Sequence, residues 1–568
     1  MNLLRKIKFN RPSASFWIYS FIILLIVVPW FFYRGYLFFT DMAWGYNLPL
    51  TWASTAFLFN LLIRGLSFIF PLDFLEKFFI TGIIILILAG GRKLVKNILE
   101  YSYQDDFQTV FSSGLVFTLS LFALFNPFVY DRALYGQFGV LAAYGCLLFT
   151  LAYLLLLIKT LDFKWLYFSA FFSGLALLFS LHFIFLLAPF YILLLIVILL
   201  KRHVIQEKGG VRDFWSAVIF SFIIVIIINI NWLSALAFKV SPLTSFVERG
   251  ITNQDLVAFQ TSGKTPFETF TNVLLMSGFW GKDQFRYFDL TMAPNWQFSF
   301  IFLMPLIIYG VYLSFRQGSR NERIMSAGLL LIFSLAVFLA VGIKAPFTRG
   351  LTLFLYDHVP LYKGLREPQK WVAAIIPIYL FYLTLGVRRL RLAKFISNNL
   401  VSSGLILSAI IIMAAPSLLW GFNRQVLPTP YPEDWYAVNR LLLSRSSQPG
   451  ECGDKVIFLP WHLYMSFNWT GKIIANPAPV FFACPTISGT NMEWGGIYDN
   501  SRSQDGKAIS SWLAVQGKDG PLALSGFPPR YIILAKELDF RSYLWLNDLS
   551  YLKPLVETKT LLVYEFKS

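Results

Sequence analysis

The sequence predicts a polytopic α-helical membrane protein of about eleven spans, followed by a mixed α/β or β-rich domain outside the bilayer. Three observations predict it. Of 568 residues, 57% are hydrophobic and 14% charged, with 59 Phe, more apolar side chain than a water-soluble core needs. Uncharged runs near the roughly 20 residues that cross a bilayer recur up to about residue 420. Beyond that point the chain turns polar. These features argue against a soluble enzyme, a DNA-binding protein or a disordered scaffold.

The expected spans are 15–33, 74–90, 107–126, 138–158, 164–181, 183–200, 214–232, 299–315, 325–343, 371–387 and 401–420. The first follows Arg5, Lys6, Lys8 and Arg11. It starts like a signal peptide, but its apolar stretch is too long and no small-residue cleavage site follows, so it reads as an uncleaved anchor. With the N-terminus inside, the cytoplasmic segments are 1–14, 91–106, 159–163, 201–213, 316–324 and 388–400. Counting the boundary Lys164, these hold twenty basic residues against seven acids, so thirteen of the seventeen net positive charges face the cytoplasm. That is the positive-inside pattern, and no nucleic-acid partner is needed to explain the charge.

Residues 51–70 could also span, but every later loop would then invert. Asn60, Arg64 and Ser67 share one face at helical spacing, so this segment is expected to lie along the outer surface. The membrane domain is then 1–420, with outer loops 34–73, 127–137, 233–298 and 344–370. The outer domain is 421–568, entered through the Pro-stiffened linker PTPYPEDW (428–435) and carrying strand-like runs at 456–460, 531–534 and 561–566. Cys146 reads as packing. Cys452 and Cys484 are expected to pair in the oxidising outer compartment.

Chemistry is expected where polar groups gather in the outer loops. Asp41, in FFTDMAWGYN, is the only acid between the first span and Asp73. A carboxylate near a membrane surface can act as a general base when its surroundings tune it. NPFVYDRALYGQ (126–137) concentrates Tyr130, Asp131, Arg132, Tyr135 and Gln137. YKGLREPQKW (362–371) sets Lys363, Arg366 and Lys370 around Glu367, and such cations can hold a phosphate. His182 sits at a tight outer hairpin among apolar neighbours. Each has an ordinary alternative: a turn aspartate, an interfacial Tyr belt with a surface ion pair, lipid headgroup binding, a structural histidine. GxxxxGK[ST], GxGxxG after a strand, HExxH, CxxC and Asp-x-Asp motifs are all missing, so nothing supports a soluble nucleotide donor or ATP-driven transport.

This arrangement resembles the GT-C glycosyltransferases: an Asp just after the first span, a membrane-parallel helix, a second acidic outer loop after the third span and an outer C-terminal domain. NPFVYDRALYGQ and LREPQKW look like segments of multi-pass members related to the α-(1→3)-arabinofuranosyltransferase group. The resemblance covers about residues 1–420. It implies a multi-pass cell-membrane enzyme, a hexosyl- or pentosyltransferase moving sugar from a polyprenyl-phosphate carrier to a glycan, lipid or protein acceptor on the outer face. Asp41 would be the base, or Asp131 with Asp41 orienting the acceptor. Arg132, Arg366 and Lys370 would bind the donor phosphate, with His182, Glu367 and Tyr130 as further candidates. One acid in the first loop, instead of Asp-Asp or Glu-x-Asp, leaves dependence on a divalent metal open. The rival readings are a transporter or lipid flippase and a non-catalytic envelope assembly protein. The spans are nearly charge-free and their polar groups collect on one face, which favours surface chemistry over translocation.

Overall fold

The computed structural model describes residues 14–102, 109–200, 210–238, 253–284, 286–290, 296–392, 400–446, 452–494, 497–499, 503–522, 524 and 528–567. The basic residues expected at 5–11, 201–208 and 394 lie outside these. Eight of the eleven expected spans fall on single helices, while 107–126 ends in a 3-10 turn and 214–232 and 401–420 run across bends. In chain order the helices of the bundle are α1 (Ala14–Phe31), α2 (Phe57–Leu66), α3 (Leu72–Tyr101), α4 (Thr109–Ser120), α5 (Pro127–Tyr135), α6 (Phe138–Thr160), α7 (Lys164–Phe179) and α8 (Phe183–Leu200). Then come α9 (Gly210–Ile228), α10 (Ile230–Ala237), α11 (Asn253–Ala258), α12 (Pro266–Leu274), α13 (Phe298–Arg316), α14 (Arg320–Val341), α15 (Pro346–His358), α16 (Val372–Leu392) and α17 (Leu400–Ile412).

Among the described residues, five helices are long and apolar enough to cross a membrane by length and composition, or up to eight if each bent pair is one span. The bent pairs turn by 51°, 86° and 79°, at α4–α5, α9–α10 and between α17 and 416–423. Trp17–Phe31 and Lys164–Phe179 are apolar but shorter. α6 and α16 are enclosed by the rest of the bundle, whereas Phe78, Ile192, Phe222, Ile227, Ile308 and Leu331 are exposed large apolar side chains on its outside. A protein surrounded by water does not leave so many. α13 and α16 cross closely because glycine faces backbone: a Cβ on Gly310 would sit 1.9 Å from the Tyr382 carbonyl oxygen, and one on Gly386 2.1 Å from that of Leu306.

Three expectations need correction. The helix expected over 51–70 runs only over 57–66, and its polar stripe is divided: Asn60 is buried and donates Nδ2–H to the Pro49 carbonyl (2.9 Å), whereas Arg64 is exposed, as are Leu58, Leu61 and Leu62. The loop expected at 127–137 is the helix α5, buried along its whole length. Asn126 caps it by accepting from the Val129 N–H (3.0 Å), Pro127 occupies the first turn, and Gly136 ends it with φ +88°. The linker expected at 428–435 is not a tether either. Thr429 pairs with Tyr36, and Tyr431 and Trp435 are buried.

The C-terminal domain is mixed α/β. Its main sheet has the order β4-β1-β7-β9-β8, from β1 (Lys455–Leu459), β4 (Thr486–Ile487), β7 (Pro529–Ala535), β8 (Leu552–Glu557) and β9 (Leu561–Phe566). β1 is parallel to β4 and β7, and the other pairs are antiparallel. The hairpins β2–β3 (Tyr464–Phe467, Lys472–Ala475) and β5–β6 (Met492–Trp494, Ile497–Asp499) complete it. A Cys452–Cys484 disulfide is present, with Cα atoms 4.7 Å apart, and Cys146 is a buried thiol.

The first loop joins the two domains. Phe38 and Trp44 pack into the core that holds Tyr431, Trp435 and Phe481. The β2–β3 hairpin grips the loop's backbone: the Ala475 N–H donates to Thr40 O (2.7 Å) and Lys472 Nζ to Phe38 O (2.8 Å). From below, α3 holds the loop's start, with Glu76 accepting from the Leu37 N–H (2.7 Å) and Lys77 donating to Tyr33 O (2.9 Å). Arg388 donating to Ser102 O (3.1 Å) marks the opposite end of the bundle. If the bundle crosses the bilayer with these ends on opposite sides, reporters fused at residues 95 and 395 should read cytoplasmic and one at 568 external. A cytoplasmic reading at 568 would invert the arrangement.

Candidate active site

Asp41 is carried to the end of α5 by backbone. Its N–H donates to Tyr135 O (2.8 Å), and the approach is close enough that a Cβ on Gly136 would lie 2.7 Å from Phe39 Cβ. The residue after that glycine, Gln137, donates Nε2–H to Asp41 Oδ2 at 3.3 Å. Tyr464 of β2 donates its hydroxyl to Asp41 Oδ1 at 2.6 Å. Among the described residues no cation lies within ion-pair distance of Asp41.

A cavity of about 480 Å³ opens beside this carboxylate. It is lined by the polar Asp41, Gln137, His182, Arg366, Glu367 and Lys370 and by the apolar Val140, Phe179, Leu181, Phe185 and Leu361. Asp41 is open to that space yet lies deep within the protein. Its removal from bulk water pushes the carboxyl up to about 6, against the pull of the Tyr464 and Gln137 hydrogen bonds.

The cations of the cavity have acids of their own. Lys370 lies 3.3 Å from Glu367 and donates to His182 Nδ1 at 3.3 Å. An ammonium only donates, so that nitrogen must be the unprotonated one. Arg366 pairs with Asp255 at 3.1 Å and stacks on Phe259, 4.4 Å from the ring centre. Glu367 is the hub: it binds Arg132 and Lys370 and accepts from Trp280 Nε1 (3.2 Å) and Gln137 Nε2 (3.4 Å). Burial alone would raise its carboxyl, but Lys370 and Arg132 hold it well below the usual carboxylate range.

The structure separates the expected candidates. Asp41, His182, Arg366, Glu367 and Lys370 share the cavity. Arg132 does not line it. Its side chain is 1% exposed, paired with Glu367 and Gln137 and packed on Phe279, so it supports the polar lining and is not placed to touch a ligand phosphate. Asp131, 4% exposed, also lies off the cavity, accepting from the Tyr287 hydroxyl (3.2 Å). Tyr130 donates to Phe288 O (2.6 Å). Asp131, Arg132 and Tyr130 all belong to the buried helix α5, none of whose residues lines the cavity; only Gly136 and Gln137, just past its end, do so. Lys363 lies over the Tyr356 ring, 5.7 Å from its centre.

Tyr464, Asp255 and Trp280 were not anticipated. They lie 423, 111 and 87 residues from the partners they meet, and no local pattern marks such pairings. Among the described residues no group of three or more His, Cys, Asp and Glu is placed to hold a metal ion. Both Asp41 oxygens already accept hydrogen bonds from protein. The donor set does not fit a divalent cation.

No protein-family model and no curated protein matches the chain. Among solved structures, it is similar to the Archaeoglobus fulgidus oligosaccharyltransferase in complex with Zn and sulfate, with a TM-score of 0.41 and 12% identity over 92% of this chain and 68% of that one. The apo form gives 0.37 and 11%, over 92% and 66%. At these values the likeness decides nothing about activity, and the chemistry has to come from the site itself.

Breaking a buried ion pair from one side typically costs about 3–5 kcal/mol, because the remaining charge has no partner. Glu367→Gln leaves Arg132 and Lys370 in that position and should markedly lower the unfolding midpoint of the purified protein. Lys164→Ala, which breaks the largely exposed pair with Asp162, should lower it far less. Equal midpoints for Glu367→Gln and the parent would show that the cluster does not hold the site together.

Proposed function

We propose that the chain is a GT-C-type membrane glycosyltransferase that moves a sugar from a polyprenyl-phosphate carrier to an acceptor hydroxyl on the outer face of the membrane. The observation that supports this reading is the cavity: a carboxylate with no ion-pair partner among the described residues shares one space with two cations and with a set of apolar side chains. A lipid-linked sugar phosphate has that polarity. Its anionic group needs Arg366 and Lys370, and its first isoprene units need a surface such as Val140, Phe179 and Phe185.

In the reaction, Asp41 takes the proton of the acceptor hydroxyl as its oxygen bonds to the anomeric carbon. The bond from that carbon to the carrier phosphate breaks, through an oxocarbenium-like state of the kind met in glycoside hydrolysis. The departing phosphate gains negative charge. Fixed cations beside it therefore stabilise the transition state more than the ground state. Glu367 and Asp255 hold those cations in place, and Arg132 acts through Glu367. Asp131 lies off the cavity, which favours Asp41 as the base. The resemblance of NPFVYDRALYGQ and LREPQKW to the arabinofuranosyltransferase group keeps pentosyl donors in the test beside hexosyl ones.

The test is transfer from synthetic polyprenyl-phosphate sugars by purified protein. Asp41→Asn should fold and bind donor but lose about 10²–10⁴ in turnover, the usual cost of removing a positioned base. Arg366→Ala should weaken donor affinity as well as turnover. Because the base works deprotonated and its carboxyl sits near 6, activity should rise with pH through about 6 and fall off below it. Near-parental turnover by Asp41→Asn would refute the base assignment. A flippase would move the lipid without breaking the sugar–phosphate bond.

A further inference from the structure

The C-terminal domain does more than cover the helical bundle. Its β2–β3 hairpin clamps the backbone at Phe38 and Thr40, and the same hairpin ends in Tyr464, whose hydroxyl reaches Asp41 Oδ1 at 2.6 Å. Along β2, Met465 and Phe467 are buried in the domain core, so alternation turns Tyr464 the other way, toward the first loop. Its ring is capped by Arg286 of the long outer loop, 4.3 Å from the ring centre. Among the described residues, the second oxygen of Asp41 is held by Gln137 alone, at 3.3 Å. The two oxygens are therefore unequal: one has a short bond from a clamped strand, the other a long bond from a side-chain amide.

We propose that Tyr464 is a positioning residue for Asp41. It fixes Oδ1 and leaves Oδ2 as the oxygen that takes the acceptor proton, which makes the C-terminal domain part of the catalytic unit. The inference rests on Asp41 being the base. In the proton transfer, the acceptor O–H bond breaks, its proton passes to Oδ2, and the freed oxygen bonds to the anomeric carbon while the carrier phosphate leaves with the bonding pair. Tyr464 keeps its own proton throughout, since burial and the neighbouring Asp41 push its hydroxyl well above the ordinary phenol range. The titratable and charged groups facing Asp41 are Tyr464 from the hairpin, Tyr135 from α5, Arg286 from the long outer loop and Glu367 from the loop before α16. His182, Arg366 and Lys370 share its cavity. Of these, Tyr464 makes the short contact, so its removal should be felt most directly at Asp41.

The experiment uses the full chain in lipid nanodiscs with a synthetic polyprenyl-phosphate sugar. Losing a hydrogen bond to a charged group corresponds to roughly ten- to a hundredfold, so Tyr464→Phe should lower kcat by that order and leave the donor KM near the parental value. The acid limb of its pH profile should move to higher pH, because the lost bond favoured the ionised carboxylate. Replacing Tyr464 with 3-fluorotyrosine keeps the shape but strengthens the donor, and should move the limb to lower pH. This second protein decides the matter if Tyr464→Phe fails to fold. A drop in turnover with both limbs unmoved would mean a merely structural tyrosine and overturn the proposal, as would unchanged kinetics in Tyr464→Phe. Asp41→Asn, run alongside, separates the two claims. If it is inactive while the Tyr464 proteins keep the parental limb, only the positioning role fails. If it retains turnover, the base assignment fails and the positioning role falls with it.

Discussion

An aspartate that is to accept a proton among cations has to be kept out of salt bridges, because an ion pair would lower its basicity and hold its oxygens. This constraint organises the site. Arg366 is held by Asp255, Lys370 and Arg132 are held by Glu367, and Arg286, which faces Asp41, lies over the Tyr464 ring. Asp41 receives only neutral donors, Tyr464 and Gln137. Neutral donors orient a carboxylate while suppressing its basicity less than a guanidinium or ammonium would. Three acids thus serve two purposes: two fix positive charge where a phosphate would depart, and one remains available for a proton.

Such an arrangement needs rigidity from several parts of the chain at once. Asp41 sits on a loop, and a loop alone would not hold a carboxylate within a few tenths of an ångström. Here α3 binds its start, the hairpin of the C-terminal domain binds its middle, and the end of α5 binds Asp41 itself. Phe38 wedges between Tyr431 and Trp469, at 5.1 and 5.0 Å between ring centres, so apolar packing and backbone hydrogen bonds act on the same few residues. The second domain can be removed only by exposing this aromatic core. It is therefore bound to the function of the first loop even though more than 400 residues separate them.

Much of this architecture is legible in the sequence because membrane helices declare themselves locally. Most expected spans coincide with single helices, since a run of apolar residues needs no distant partner to become helical in lipid, but the bends inside 214–232 and 401–420 leave no mark in apolarity alone. Asp41, Arg366 and Lys370 could be singled out for a related reason: a charged group stands out at the edge of an apolar run. The buried helix α5 was legible too, though it reads as a loop when polarity alone is weighed. Asn126-Pro127 at one end and Gly136 at the other are the start and stop signals of a helix. What could not be read was that the helix stays off the cavity and only the residues just past its end reach it. Asp131, Arg132 and Gln137 are close in sequence, but only Gln137 lines it. Tyr464 was hidden for a different reason. Its strand belongs to a domain whose sheet order is set by nonlocal pairing, and nothing near residue 464 signals an aspartate on the first loop.

The central claim is that one cavity holds the lipid-linked donor with its phosphate at the cations and its anomeric carbon toward Asp41. It is tested most directly by determining the structure of the full chain in a lipid nanodisc with a non-transferable polyprenyl-phosphonate sugar. The account places the phosphonate oxygens within hydrogen-bond distance of Lys370 Nζ and the Arg366 guanidinium, the sugar beside Asp41 Oδ2, and the first isoprene units against Val140, Phe179 and Phe185. A donor head group bound at the other end of the bundle, or one in this cavity with its anomeric carbon turned away from Asp41, would contradict it.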